Sequence, residues 1–486
     1  MKQLKEILYK VPVEAISGSP IKSISGVEID SRELKAENIF VAIKGTKLDG
    51  HLYIDAAINK GAIAVVCEEF PKHIDKSITY IKVINSSKAL GIIAANFYNH
   101  PSKKIKLIGV TGTNGKTTIT NLLHKLFNKQ NLPSGLISTI GINYNKNSYQ
   151  TKHTTPNIIK INSTLKKMVE AGIEYCFMEV SSHGISQGRT QGLYFAGGVF
   201  TNLTHDHLDY HKSFKNYRDI KKRFFDNLPK SSFALVNIDD KNGKFMLQNT
   251  VCKKKTFAMK AFADYRVKIK ERQFNGMLIE INNNELWTKL IGDFNASNLL
   301  AVYSVAINLG MQEMDVLISL SLLNSVPGRF QTFQMNSVIV IIDYAHTPNA
   351  LENVLDSINR LRNNNNENLI TIIGCGGGRD KEKRPKMGRI ASQKSDKVIF
   401  TSDNPREENP NEIIDQMISG VANEHLHKIF KVEEREIAIK TSKKIASKSD
   451  IVLIAGKGHE TYQEINNNQL PFDDLKIAKK YFQNQS

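Results

Sequence analysis

The chain is poor in cysteine and has a single tryptophan. Its 486 residues include four cysteines, and their scattered positions show neither zinc-ligand nor redox spacing. Cys176 and Cys375 lie in apolar, strand-like runs, so we expect both to be buried free thiols. So few cysteines exclude a disulfide-stabilised scaffold and fit a reducing compartment, and we therefore expect a cytoplasmic protein.

Long hydrophobic runs are also missing. No apolar stretch approaches the roughly 20 residues that a membrane-spanning helix needs, and residues 1–6 do not open a secretory signal. Hydrophobic residues make up 41% and charged residues 23% of the chain, which is the composition of a globular protein. The length predicts about three domains.

The chain has fewer acidic than basic residues, with 48 Asp and Glu and 66 Lys and Arg, which gives a net charge of +18. A basic balance raises the question of nucleic acid. However, the basic residues are spread along the chain, in short clusters such as 221–223 and 253–255. The sequence has no RNP-type aromatic motif, zinc finger or long basic arm. We therefore predict no nucleic-acid partner, and the charge would also suit polyanionic small substrates.

What the chain does contain is a glycine-rich segment between a strand pattern and a helix pattern. Residues 106–110 are apolar and predict a buried parallel strand, whereas residues 119–127 have helical spacing. Between them, residues 111–118 read TGTNGKTT. The segment departs from the general G-x-x-x-x-G-K-[ST] signature because Val110 stands at its first glycine. Strand, loop and helix in this order still predict a phosphate-binding turn.

The residue types of this segment suit a nucleotide. Gly112 and Gly115 let backbone N–H groups approach phosphate oxygens, and the following helix N-terminus favours negative charge. Lys116 can reach the terminal phosphates, and the Thr117 hydroxyl suits Mg²⁺. We call residues 111–118 the phosphate cradle.

Strand and helix patterns alternate along the whole chain, which predicts an α/β protein with parallel sheets. A polar joint at 101–104 and the segment 325–329 mark the predicted boundaries, which gives domains 1–102, 103–328 and 329–486. Strands in the last domain each end in a polar or glycine-rich loop, where ligands bind in open α/β sheets. The predicted strands cover 23–30, 38–44, 62–66, 106–110, 175–180, 197–201, 233–236, 337–342, 369–373, 397–400 and 450–454.

Further polar segments become interpretable once a nucleotide is assumed. Glu179 closes a predicted strand and could hold Mg²⁺ at the sheet edge. Residues 201–211 contain three histidines and two aspartates. A zinc site is the alternative for this cluster, but oxygen-rich phosphate chemistry suits Mg²⁺ better. Residues 217–225 open a basic amphipathic helix.

A series of motifs in one order makes the chain resemble the Mur ligases, ATP-dependent amide-forming enzymes of peptidoglycan synthesis. Their cradle has the same shorter glycine spacing. The likeness is to the branch that joins meso-2,6-diaminopimelate to UDP-N-acetylmuramoyl-L-alanyl-D-glutamate. It implies an N-terminal α/β UDP-binding domain, a central P-loop-type parallel-sheet ATPase domain and a C-terminal Rossmann-like domain, and we expect a monomer. The motifs lie at 30–32, 112–118, 154–156, 179–184, 202–209, 292–295, 327–329, 343–346, 403–406 and 456–460.

The resemblance implies a reaction through an acyl phosphate, with ATP and Mg²⁺. It also implies that Lys221 is carbamylated by CO₂, because Tyr217 stands four residues ahead of it as in the family; its neighbour Lys222 is not the match. A carbamate offers oxygen ligands where an ammonium would repel Mg²⁺. The implied catalytic residues are Lys116, Glu179, His207, Lys221 and Arg329, and the implied magnesium ligands are Thr117, Glu179, His207 and Lys221. The implied ATP contacts are Gly112, Thr113, Asn114, Gly115, Lys116, Thr117, Thr118, Asn295, Arg329, Asp343 and His346.

The UDP-sugar peptide is expected to lie across the first two domains. Ile29 could equally be a residue of strand packing. The contacts implied by the resemblance are Ile29, Ser31, Thr46, Lys47, Leu48, His153, Thr154, Thr155, Ser181, Gln187 and Arg189.

Arg406 distinguishes between incoming amino acids, because lysine-adding relatives generally lack this arginine. Meso-diaminopimelate carries a second carboxylate, which a planar guanidinium can bind bidentately. Glu460 would face an ammonium, and Arg384 is an alternative to Arg379. The implied pocket comprises Arg379, Asp403, Asn404, Pro405, Arg406, Gly456 and Glu460.

Three other classes of protein could also contain such a cradle. A folylpolyglutamate synthetase shares the cradle, but residues 30–32 and 403–406 argue against it. A P-loop switch or nucleic-acid motor would explain the basic charge, but the chain has no Asn-Lys-x-Asp guanine signature. A lysine-adding synthetase is the nearer alternative, and Arg406 argues against it.

Overall fold

A computed structural model describes residues 1–45, 48–151, 153–362 and 367–483. Within these residues the chain forms three main sheets, one after another, each with its own hydrophobic core. This is the predicted α/β class, and it is confirmed. Among the described residues, every helix is too short or too polar to span a bilayer. All four cysteines are buried and free, as expected for Cys176 and Cys375.

The N-terminal sheet has the strand order β2–β7–β6–β5–β4, parallel except for β2. The predicted strand at 23–30 is wrong as a single element, because it splits between two sheets. Ser25 breaks it: its Oγ donates to Ala36 O (2.8 Å) and lies 2.9 Å from Asn38 Oδ1. The elements are β1 (Lys2–Gln3), α1 (Leu4–Ile7), β2 (Val13–Ser17), β3 (Ser23–Ile24), β4 (Gly26–Glu28), β5 (Asn38–Val41), α2 (Ile54–Asn59), β6 (Ala62–Cys67), β7 (Thr79–Val83) and α3 (Ser86–Phe97).

The middle sheet has the order β11–β10–β9–β12–β8–β13–β14–β15–β16–β17–β18. Strands β9 to β16 in this order are parallel, as predicted, and β8 is the strand before the cradle. The first elements are β8 (Lys106–Thr111), α4 (Lys116–Lys129), β9 (Ser134–Ser138), β10 (Gly141–Tyr144), β11 (Asn147–Tyr149), α5 (Ile158–Glu170), β12 (Tyr175–Glu179), α6 (Ser182–Ser186), β13 (Gly197–Phe200), α7 (Leu208–His211), α8 (Phe214–Asp226), β14 (Phe233–Asn237), α9 (Gly243–Met246) and β15 (Lys253–Ala258).

Antiparallel strands extend this sheet at both ends, which the sequence analysis did not predict. At one end the chain turns at Asn275-Gly276, a pair that favours tight hairpins. It turns again at Asn282 and Asn283, which both have positive φ (47° and 72°). The remaining elements are β16 (Tyr265–Gln273), β17 (Gly276–Ile281), β18 (Asn284–Thr288), α10 (Asp293–Asn308) and α11 (Glu313–Ser321).

The third sheet has the order β19–β20–β24–β21–β22–β23 and is parallel except for β19. Its four predicted strands are confirmed to within a residue or two. The elements are β19 (Gln331–Met335), β20 (Val338–Asp343), α12 (Pro348–Leu361), β21 (Leu369–Ile373), α13 (Lys383–Lys394), β22 (Lys397–Phe400), α14 (Pro410–Ile418), β23 (Ile429–Lys431), α15 (Arg435–Ile445), β24 (Ile451–Ala455), β25 (Tyr462–Ile465), β26 (Asn468–Pro471) and α16 (Asp474–Gln483).

A buried ion pair fixes the end of β24, where one of the site loops begins. Arg435 and Asp474 have fully buried side chains and pair through two N–O contacts of 2.8 Å each. Arg435 also donates to Ala455 O at 2.9 Å. Removing one partner of such a pair costs about 3–5 kcal/mol, because the other charge stays buried. The pair therefore holds α15, α16 and the end of β24 together.

Candidate active site

A cavity of 1190 Å³ opens between the middle and C-terminal sheets, at the carboxyl ends of their parallel strands. The cradle forms one side of it, and loops after β20, β21, β22 and β24 form the other. Most of the predicted site residues of these two sheets therefore share one cavity. Those that line it are Gly112, Thr113, Asn114, Gly115, Lys116, Thr117, Thr118, His153, Thr154, Glu179, Ser181, Gln187, Arg189, His207, Lys221, Arg329, Asp343, His346, Arg379, Asp403, Asn404, Arg406, Gly456 and Glu460.

The cradle needs both of its glycines. Gly112 has φ +149°, and a Cβ there would lie 1.9 Å from Thr201 Oγ1. Gly115 has φ +89°, and a Cβ there would lie 2.7 Å from Asn298 Oδ1. Larger residues would therefore be strained and would collide with the loop after β13 and with α10. Helix α4 starts directly after Gly115, so its N-terminal amides face the cavity, an arrangement that favours anions.

Two lysines meet at one carbonyl of the cradle. Lys116 Nζ donates to Gly112 O (2.9 Å) and Thr113 O (2.7 Å), and Lys221 Nζ donates to Gly112 O at 2.9 Å. Burial lowers the pKa of both ammonium groups, and the charge of Lys116 lowers that of Lys221 further. Neither lysine forms an ion pair within the described part of the chain. Lys222, by contrast, pairs with Asp226 at 2.6 Å and lies outside the cavity lining.

Side-chain oxygens that could bind a metal ion line the same cavity as these lysines. Glu179 is 1% exposed, and its carboxylate accepts from Thr139 N (2.9 Å) and Thr139 Oγ1 (3.3 Å). Thr117 Oγ1 accepts from Arg329 Nη2 at 3.2 Å. Burial lowers the pKa of His207 to about 3, so this imidazole is neutral. Its Nε2 lies 3.4 Å from Asp206 Oδ2.

The donor set fits a hard divalent cation more closely than a soft one, because hydroxyl and carboxylate oxygens are the ligands that Mg²⁺ prefers. No group of three or more His, Cys, Asp or Glu side chains in the described residues is placed to hold a metal by itself. A magnesium ion beside Thr117 and Glu179 would complete its coordination with other oxygens, such as those of water or of a bound phosphate.

The histidines near the cradle stack on aromatic rings. His183 packs on Tyr210 (4.2 Å between ring centroids) and His207 (4.8 Å), and His211 stacks on Tyr217 at 5.1 Å. The Tyr217 ring also lies 4.8 Å from Lys221 Nζ. Tyr217 Oη lies 3.1 Å from Thr113 Oγ1, so α8 is tied to the cradle. These contacts of Tyr217 could not be predicted from the sequence, which shows only its position four residues before Lys221.

The C-terminal sheet brings Arg329, Asp343 and His346 to the cavity. Asp343 Oδ2 accepts from Phe330 N at 2.7 Å, and burial raises the pKa of this carboxyl to about 6. Burial lowers the pKa of His346 to about 4, and its Nδ1 lies 2.8 Å from Tyr344 O. Asn295 does not reach the cavity surface.

Asn295 is 2% exposed because its amide turns into its own helix. Its Nδ2 donates to Ile291 O at 2.8 Å, and its Oδ1 accepts from Asn298 Nδ2 at 3.1 Å. Asn298 and Phe294, one turn apart on α10, line the cavity instead. The sequence analysis named neither of them.

Thr155 also lies beneath the cavity surface. It is fully buried, and its Oγ1 donates to Glu179 O and accepts from Ser181 N, both at 2.9 Å. Arg189 Nη1 donates to Thr155 O at 2.7 Å. Thr155 therefore fixes the loop after β12 and the cavity-lining side chains of Ser181 and Arg189.

Ile29, Ser31 and Leu48, the predicted UDP contacts that fall within the described residues, do not line this cavity. Ile29 packs partly buried against the N-terminal core, and Leu48 is 66% exposed. Ser31 is half-buried in the turn after β4. Thr46 and Lys47 lie outside the described residues.

Charged side chains of the amino-acid pocket are held by other side chains. Glu460 Oε2 accepts from Asn404 Nδ2 (2.9 Å) and from the buried Lys457 (3.0 Å). Arg406 pairs through Nε with Glu464 Oε2 at 2.9 Å. Lys457 lies within the motif at 456–460, but its sequence position alone gives it no role. Of the predicted pocket residues, Pro405 alone is missing from the cavity lining among the described residues.

Burial separates Arg379 from its alternative, Arg384. Arg384 is 0% exposed, and its two terminal nitrogens donate to the two oxygens of Glu408 (2.9 and 3.0 Å). These bonds lower the pKa of Glu408 to about 2. Arg379 is exposed and lines the cavity. Arg379 is therefore the guanidinium that a ligand can reach.

Comparison with known families agrees with this architecture. Residues 23–98 match the model described as "Mur ligase family, catalytic domain". Residues 110–306 match "Mur ligase middle domain", and residues 328–458 match "Mur ligase, glutamate ligase domain". The three matches follow the order of the three main sheets.

Full-length relatives give the same result. The chain is 48% identical to proteins of Phocaeicola vulgatus (99% of this chain, 100% of the relative) and Bacteroides fragilis (99% of each). Both are named UDP-N-acetylmuramoyl-L-alanyl-D-glutamate–2,6-diaminopimelate ligase. A solved structure of a ligase of that name superposes with a TM-score of 0.70 at 30% identity, covering 99% of this chain and 98% of that one. The chain therefore belongs to the Mur ligase family of ATP-dependent, amide-bond-forming ligases.

Proposed function

We propose that this enzyme uses ATP to join meso-2,6-diaminopimelate to the glutamate of UDP-N-acetylmuramoyl-L-alanyl-D-glutamate, a step of peptidoglycan precursor synthesis. The observation that carries the proposal is that a phosphate cradle and a pocket with Arg406 and Glu460 line the same cavity. A guanidinium and a carboxylate are the partners that a carboxylate and an ammonium of one diamino acid require. Relatives at 48% identity that bear this name support the same substrate pair.

The first step activates the acid. A carboxylate oxygen of the sugar peptide attacks the γ-phosphorus of ATP, the bond from phosphorus to the bridging oxygen breaks, and ADP leaves. An acyl phosphate results. The residues available for this step are Lys116 and Arg329, whose positive charges would neutralise the phosphates, because phosphoryl transfer depends on positioning and charge. The helix N-terminus at Lys116 adds backbone donors.

The second step forms the amide. The neutral amine of the diamino acid attacks the acyl carbon, the tetrahedral adduct expels phosphate, and the nitrogen loses a proton. Glu460 is well suited to hold an ammonium near the acyl phosphate, and its carboxylate is already oriented by Asn404 and Lys457. The proposed sugar-peptide contacts in the cavity are His153, Thr154, Ser181, Gln187 and Arg189, with Ile29, Ser31, Thr46, Lys47 and Leu48 toward the uridine diphosphate.

Magnesium and a carbamate on Lys221 complete the proposal. Thr117, Glu179, His207 and the carbamate oxygens would hold the ion, which supplies positive charge against the phosphates when bound. Lys221 supports this assignment because it is 1% exposed and has a backbone carbonyl and an aromatic ring as neighbours. Carbamylation would replace a buried positive charge beside Lys116 with a negative one.

The proposed substrates indicate the cellular compartment in which the enzyme acts. Free ATP and a nucleotide-activated sugar are cytoplasmic compounds, so we propose a cytoplasmic enzyme, and we expect it to act as a monomer. The domains would be residues 1–102 for the UDP-sugar, 103–328 for ATP and 329–486 for the amino acid. The separate sheets of these segments support this division.

An ADP-release assay tests the proposed function directly. The purified enzyme receives the UDP-sugar dipeptide, Mg²⁺, bicarbonate and ATP, with meso-diaminopimelate, L-lysine or D-glutamate in parallel. We expect ADP and tripeptide with meso-diaminopimelate. Equal or faster product formation with L-lysine would assign the chain to the lysine-adding branch instead. No product with any amino acid would reject the ligase reaction.

A further inference from the structure

The side chain of Arg406 is held by an acidic residue of the neighbouring hairpin, β25–β26. We propose that Glu464 is a positioning residue, which orients Arg406 for the second carboxylate of the incoming amino acid. This inference rests on the proposed function and adds a residue outside the pocket predicted from the sequence. Glu464 itself does not line the cavity.

Backbone hydrogen bonds connect Arg406 to the hairpin that contains Glu464. Arg406 has φ +53°, a left-handed conformation that a residue with a side chain rarely adopts. Its N–H donates to Glu464 O at 3.0 Å, and its carbonyl accepts from Asn466 N at 2.8 Å. The hairpin thus holds Arg406 in this conformation and places the Glu464 side chain beside its guanidinium.

Two contacts then hold the guanidinium, one ion pair and one hydrogen bond. Arg406 Nε lies 2.9 Å from Glu464 Oε2, and Nη1 donates to Gly377 O at 2.7 Å. Nη2 has no protein partner within the described residues. Both charged side chains are about a quarter exposed (25% and 27%), so a ligand can reach them. The pair therefore leaves the edge formed by Nη1 and Nη2 for a ligand carboxylate.

The glycine-rich loop after β21 closes the other side. Gly377 N donates to Asn404 O at 2.9 Å, and a Cβ on Gly377 would lie 1.9 Å from Pro405 O. A Cβ on Gly376 would lie 3.0 Å from Arg406 Nη1. This loop supplies a hydrogen-bond acceptor for Nη1, whereas the guanidinium charge is paired with Glu464 alone among the described residues. Without Glu464, the long arginine side chain would regain rotamer freedom that ligand binding must then remove.

Glu464 also carries a charge, which acts in the opposite direction. Its carboxylate would repel the second carboxylate of the ligand, so orientation and repulsion oppose each other. Replacement by Gln keeps the length of the side chain and removes the charge, whereas replacement by Ala removes both. The two variants therefore separate the ion pair from the bulk of the side chain. Our proposal is that orientation dominates.

The experiment compares wild type with Glu464→Ala, Glu464→Gln and a control, Glu407→Ala. Glu407 is exposed, lies next to Arg406 in the chain and accepts from Asn467 Nδ2 at 3.0 Å, at the turn of the same hairpin. ADP release is measured while meso-diaminopimelate and ATP are varied separately. Glu464→Ala should raise the KM for meso-diaminopimelate about tenfold, with kcat and the KM for ATP within twofold of wild type. Glu464→Gln should raise the KM for meso-diaminopimelate to a similar extent, because it too lacks the charge that pairs with Arg406, whereas the control should stay within about twofold in all constants.

Several results would overturn the inference while leaving the proposed function intact. One is an unchanged or lower KM for meso-diaminopimelate in Glu464→Ala, since repulsion would then equal or exceed orientation. Another is an equal rise in the KM for ATP, which would indicate a general structural defect. A Glu464→Gln variant that binds meso-diaminopimelate like wild type would also contradict it, because the ion pair would then not be what orients Arg406. Wild-type enzyme that forms no product with meso-diaminopimelate would reject the proposed function, and this inference with it.

Discussion

The phosphate cradle and the amino-acid pocket face one cavity but are built in opposite ways. The cradle is one continuous stretch, residues 111–118, whose backbone makes the shape. Its lysine, Lys116, donates to neutral carbonyls of that stretch. The pocket is assembled from separate loops, and two of its charged groups are paired: Glu460 with Lys457, and Arg406 with Glu464.

This difference indicates that the cradle provides affinity for the nucleotide, whereas the pocket selects the amino acid. Buried cations without an acidic partner gain strongly when an anion arrives, because they were desolvated without compensation. Charged groups that are already paired and oriented gain less, but they lose less entropy on binding and accept fewer geometries. The cradle is therefore suited to bind any polyphosphate firmly, and the pocket to choose among amino acids.

The largest effect is expected in the cradle. Lys116→Ala should lower kcat for ADP release by more than about 10³-fold, because the terminal phosphates lose their positive charge in the transition state. Lys129→Ala, on the exposed end of the same helix, is the control and should match wild type. A loss below about tenfold would show that Lys116 is not the phosphate-neutralising group.

A mutation in the amino-acid pocket should affect the kinetic constants for meso-diaminopimelate and not those for ATP. Arg406→Ala should lower kcat/KM for meso-diaminopimelate by about 10²- to 10³-fold, because a bidentate, charge-assisted contact is lost. The KM for ATP should change by no more than about threefold. Arg406→Lys keeps the charge without the planar fork and should recover only part of the loss. Unchanged constants for meso-diaminopimelate would remove Arg406 from the selection of the amino acid.

The buried carboxyl of Asp343 allows a test of how the stability of the protein depends on pH. Burial raises its pKa from 3.8 to about 6, so the folded state prefers the protonated form and loses stability as the pH rises from about 4 to 6. Asp343→Asn stays neutral. The free energy of unfolding of the variant should therefore gain on wild type by up to about 3 kcal/mol between pH 4 and pH 7. Denaturant unfolding without nucleotide measures this, and a pH-independent difference would contradict it.

The smallest effect is expected where α10 meets α12 at the cavity wall. Asp293 of α10 pairs with Arg272 of β16 at 2.8 Å and with Arg360 of α12, and both Asp293 and Arg360 line the cavity. Arg360 is 56% exposed, and exposed ion pairs contribute only about 0–1 kcal/mol. Arg360→Ala should therefore change the KM for ATP by no more than about threefold, and less at high salt. A tenfold change would show that this contact controls how the two halves meet.

The cradle could be predicted from the sequence because its chemistry is local. Strand, glycines, lysine and helix follow one another, and the structure adds only the reason why Gly112 must be a glycine, namely its contact with Thr201. The parallel strands were predictable for a similar reason, since apolar runs mark them. The antiparallel ends were missed, although the pairs Asn275-Gly276 and Asn282-Asn283 indicate hairpin turns.

The pocket could be predicted only in part. Motifs supplied Arg406 and Glu460, but sequence left Arg379 and Arg384 as alternatives because burial decides between them. Glu464 gave no signal, since its contact depends on the left-handed backbone of Arg406. Asn295 and Thr155 show the opposite case: the resemblance made them ligand contacts, whereas their side chains bond their own backbone surroundings.

The separation of the cavity walls has a consequence for how such ligases diversify. The loops after β21, β22 and β24 contain the proposed amino-acid pocket and none of residues 111–118. If the proposal holds, grafting these loops between enzymes should exchange the amino acid that is added while the phosphate-binding half stays the same. Chimeras of this kind offer a route to bacterial walls with altered cross-linking peptides.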